Sequence, residues 1–138
     1  MRIGSSEPYK QWGGGQLRRA CRRAGQCRPW RAASWRPAER DMAQAILQRV
    51  APALRERVLA VTGGTVAETV AAMSLVKTCL GNDTGGVQIA AAVGTPTWVM
   101  LGSRPLLNCD PKTLHNLVAA RLADIQPADV ARIALAQA

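Results

Sequence analysis

At 138 residues the chain suits one domain with a genuine core, and with no Phe and 4% aromatics that core must come from Ala, Val, Leu, Ile and Met. No apolar run approaches a membrane span and no signal-peptide pattern opens the sequence, which argues against a spanning protein and reads as cytoplasmic. The net charge of +9 raises nucleic acid or an anionic membrane as partner, but residues 1–36 hold nine Lys/Arg against the single acid Glu7, while residues 37–138 hold nine against eight.

That asymmetry divides the chain into a basic, irregular or disrupted segment, 1–36, and an α/β domain, 37–138. Within the first, residues 13–36 carry Arg, Gly, Trp, Cys and Pro but almost no apolar face. Three readings are open. The tract is translated out of frame between two in-frame pieces, because its residue types share GC-rich codons; or it is an Arg-rich surface arm; or it binds RNA or lipid, with Trp30 and Trp35 as the only interleaved aromatics. Cys21, Cys27, Cys79 and Cys109 include no Cys-x-x-Cys pair, and His115 is the sole histidine, so the sequence predicts free thiols and no metal site.

From Glu39 to about Leu54, Met42, Ile46, Val50 and Leu54 recur at i+4 steps and predict a helix that Pro52 disturbs. Arg57 to Val61 reads as a short strand. Thr65-Val66-Ala67-Glu68 has the capping-box pattern and starts a helix to about Leu75. Val76–Leu80 is expected as a buried strand, Gly86–Val93 as a helix, Thr95–Leu101 as a strand and Pro127–Ala136 as a closing helix with Pro in its first turn. Alternating helices and strands imply a Rossmann-like parallel sheet with helices on both faces, joined by right-handed crossovers.

Between the second strand and its helix lies Gly81-Asn82-Asp83-Thr84-Gly85-Gly86, followed by an Ala-rich run. A strand ending in such a turn presents the unpaired amides and positive dipole end of the next helix to an anion. Glycine permits close backbone approach, and Asp83 and Thr84 add polar groups. As a plain alternative, Asn-Asp-Thr-Gly is turn chemistry with an N-cap.

The pattern G-N-D-T-G-x-x-x-x-A-A-A-x-G-T-P over residues 81–96 resembles the signature of the family-nine glycosyltransferases, the bacterial heptosyltransferases of lipopolysaccharide core synthesis. Ser6-x-Pro8-x-Lys10-x-Trp12, Pro37-Ala38-Glu39-Arg40 and Leu101-Gly102 agree with it in order, and the likeness covers roughly residues 3–12 and 37–138. The resemblance implies the C-terminal, donor-binding half of a GT-B enzyme that transfers a sugar with inversion from an ADP-heptose-like donor, without cofactor or metal. It implies that Lys10 binds phosphate and Glu39 the donor ribose. Asp83, Thr84, Gly85, Gly86 and Gln88 would line the diphosphate and sugar, and Gly63-Gly64 the base.

Two positions depart from the family pattern: Gln88 stands where His is common, and Gly86 where Pro is. Gln hydrogen-bonds but exchanges no proton near neutrality. The resemblance places a lipopolysaccharide-type acceptor on an N-terminal half outside these residues, so this chain alone is expected to be inactive; peripheral membrane contact is allowed, and no specific nucleic acid is expected. A non-catalytic nucleotide-binding or interaction module is the alternative, and a basic nucleic-acid-binding protein the second alternative. His115 reads as a surface or boundary residue.

Overall fold

A computed structural model describes residues 15–16, 19–20, 30–33, 40–49, 52–55, 58–61, 63–103 and 110–136. In chain order these form β1 (Trp30–Ala33), α1 (Arg40–Arg49), α2 (Pro52–Arg55), β2 (Val58–Val61), α3 (Val66–Ser74), β3 (Cys79–Asn82), α4 (Gly85–Ala92), β4 (Thr97–Leu101), β5 (Leu114–Val118), a 3-10 turn (Leu122–Asp124) and α5 (Pro127–Ala136). β1 pairs parallel with β2, and β3, β4 and β5 form a parallel ladder in that order.

Alternation along the central strand β4 explains how the sheet is covered on both sides. Trp98 and Met100 pack on one face with Leu80, Leu122, Ile125, Val130 and Ala134, while Val99 and Leu101 pack on the other with Met73, Cys79, Val87, Ala90 and Leu114. A parallel sheet needs apolar cover on both faces, because its crossover helices lie there. Ala43 of α1 joins the Leu80 cluster, so α1 packs into the core of the β3–β5 ladder.

Local chemistry sets the ends of the elements. Thr65 caps α3: its hydroxyl accepts from the Glu68 amide at 3.2 Å, and Glu68 Oε2 accepts from the Thr65 amide at 2.7 Å. At the opposite end, Gly94 takes φ +82 after α4, and the buried Thr95 hydroxyl donates to the Met73 carbonyl at 2.7 Å, tying the ends of α3 and α4 together. Proline at the first position of α2 and of α5 loses no helical hydrogen bond there.

Pro52 interrupts the first helix as expected: α1 ends at Arg49 and a separate turn begins at Pro52, while the stripe expected at Met42, Ile46, Val50 and Leu54 lies outside the described side chains. The structure departs from the sequence reading in three other places. β3 begins at Cys79 rather than Val76, because Val76 still donates to Met73 O and the first ladder bond runs from the Cys79 amide to Pro96 O at 2.9 Å. β5 was not expected; its pairing with β4, Thr97 to Leu114 through Leu101 to Val118, makes a strand of a sequence without clear alternation. Finally, the 1–36 segment, expected to be irregular, contributes β1, and Ala20 within it is buried against the Leu80 cluster. Gln16 Nε2 there donates to Ala123 O at 2.8 Å.

Candidate functional site

In a parallel sheet each crossover helix starts at the C-terminal edge of the strand before it, and ligands of open α/β sheets bind outside that edge. Here α1 and α3 follow β1 and β2 of the two-stranded sheet and α4 follows β3 of the three-stranded one, each helix presenting the positive end of its dipole after its own strand.

The Asn82–Gly86 turn is the best built of the three. Asn82 ends β3 with 2% of its surface exposed, and Asp83 and Thr84 are half-buried. Thr84 is extended at φ −146, ψ 163, and serves as N-cap of α4 without a side-chain capping bond. The first intrahelical bonds run from the Val87 and Gln88 amides to the Thr84 carbonyl at 3.1 and 3.4 Å. The amides of Gly85 and Gly86 therefore precede the first helical bond and project from the helix end. Gly85 is exposed and Gly86 buried, so the two glycines serve different ends: one opens the approach, the other lets the helix lie close on the sheet. One turn on, Gln88 is exposed.

At α3, Gly63 adopts φ +85, a left-handed conformation that explains the glycine without a ligand. A Cβ on Gly64 would make ordinary contact with Glu68. The Glu68 carboxyl is held below its usual range, first by the Thr65 amide and then by the Thr65 hydroxyl, and so is committed to the cap. At α1, Arg40 extends its guanidinium toward Gly63, an approach that the Pro37-Ala38-Glu39-Arg40 motif does not disclose.

The structure thus groups Asp83, Thr84, Gly85, Gly86 and Gln88 on one turn and helix start, while Lys10 and Glu39 lie outside the described residues. His115 sits away from that edge, half-buried near the start of β5, its ring 4.7 Å from that of Trp98. Among the described residues no three His, Cys, Asp or Glu side chains come together as a metal site, and no described helix is long and apolar enough to cross a membrane.

No curated protein sequence matches the chain. Among solved structures it is similar to E. coli ADP-heptose lps heptosyltransferase II, at 18% identity and TM-score 0.84, over 99% of this chain and 44% of that one. E. coli heptosyltransferase WaaC with ADP-2-deoxy-2-fluoro heptose gives 14% and 0.83, over 99% and 42%. The family 9 glycosyl transferase of Veillonella parvula DSM 2008 gives 18% and 0.84, over 99% and 44%. The chain therefore spans less than half the length of these relatives and shares their fold over that part. The sequence model of glycosyltransferase family 9 (heptosyltransferase) matches residues 4–113, most of the chain and the whole turn at its candidate site, and on that match the chain belongs to glycosyltransferase family 9.

Proposed function

We propose that these residues form the donor-binding half of a cytoplasmic sugar transferase, holding a nucleotide diphosphate sugar of the ADP-heptose kind for transfer to a lipopolysaccharide-core acceptor. The observation that carries this reading is the Thr84–Gly86 helix start, where two glycine amides precede the first intrahelical bond at the ligand edge of a parallel sheet. The relative with ADP-2-deoxy-2-fluoro heptose supports the same donor class.

In this reading the Gly85 and Gly86 amides, with the dipole of α4, receive the diphosphate and stabilise the charge that grows on it as the glycosidic bond breaks. Lys10 adds a point charge and Glu39 holds the ribose hydroxyls. Asp83 stands beside the sugar, and Gln88 hydrogen-bonds without exchanging a proton. The acceptor and the base that deprotonates its hydroxyl belong to a complementary half, so the 138 residues alone bind donor without transferring it. Calorimetry with ADP and ADP-heptose tests binding, and a transfer assay with and without the N-terminal half of a heptosyltransferase tests the division of labour. Absence of ADP binding by the folded chain would refute the assignment.

A further inference from the structure

We draw no further inference here: the strongest candidate, the apolar patch that the exposed Val66 and Val70 form one turn apart on α3, carries nothing because nothing in the structure shows what covers it.

Discussion

Gly85 and Gly86 are adjacent and chemically identical, yet valine at each should have opposite consequences. Gly85 is exposed at the first position of α4, so a side chain there would project from the surface into the space that the proposal gives to the diphosphate. Glycine and valine differ by less than about 0.5 kcal/mol in helix propensity, so Gly85→Val should leave the melting temperature nearly unchanged. It blocks approach to two amides, and with each hydrogen bond to a charged group contributing about 1.5–3 kcal/mol, the loss is about 3–6 kcal/mol, or at least a hundredfold in Kd. Gly86, by contrast, is buried in the first turn of α4 beside the fully buried Val87. Gly86→Val overpacks that contact at about 1–3 kcal/mol and should lower Tm by several degrees, on the order of 3–10 °C. Paired thermal melts and ADP titrations distinguish the two. A folded Gly85→Val that binds ADP as the wild type does would refute the placement of the diphosphate.

Three further outcomes follow from the same geometry. Thr84→Ala should weaken ADP by about 1.5–3 kcal/mol, the loss of one hydrogen bond to a charged group, and calorimetry against the wild type measures it. Val99 is fully buried on the central strand, so Val99→Ala should cost about 2–3 kcal/mol in a denaturant titration, from two lost methyl groups plus the cavity they leave. Glu68 and Asp124 both titrate below their ordinary values, Glu68 chiefly through the Thr65 amide and Asp124 chiefly through the Arg121 side chain. Their contribution is therefore complete above the ordinary carboxylate range, about pH 4, and is lost as pH falls through the lowered values; Tm measured from pH 7 to 3 should fall less steeply in Glu68→Gln and Asp124→Asn than in the wild type.

Legibility followed the locality of the interactions. The capping box is closed by two bonds within four residues, Thr65 to Glu68 and back, and its pattern alone located the start of α3. α5 was equally readable, because Pro127 fits a first helical turn and Val130 and Ala134 bury one stripe. The Gly81–Gly86 turn could be read because it combines a strand end, a cap and glycines in six consecutive residues. What escaped was fixed by partners far along the chain. Nothing in Leu114-His115-Asn116-Leu117-Val118 alternates cleanly, and β5 owes its register to β4, seventeen residues earlier at the Thr97–Leu114 pair. The start of β3 is likewise set by Pro96 rather than by the apolar Val76.

The basic segment shows the same principle at its limit. Composition expects nothing regular of residues 13–36, since charge and glycine leave no stripe wide enough to define a helix face. Yet one small side chain suffices to dock a turn of chain when its partners are already assembled: Ala20 is 1% exposed in a cluster whose other buried members come from α1, β3, β4, α5 and the turn between β5 and α5. Gln16 reinforces this contact through Ala123. Ten residues on, Trp30–Ala33 forms a two-stranded sheet with β2 through a full parallel ladder, from Trp30–Val58 to Ala33–Val61. Backbone pairing makes no demand on hydrophobic alternation, which is why a strand can form in a tract that composition marks as irregular. The charge that dominates the segment's composition thus says little about its fold, and the few positions that join it to the domain are those that composition weights least.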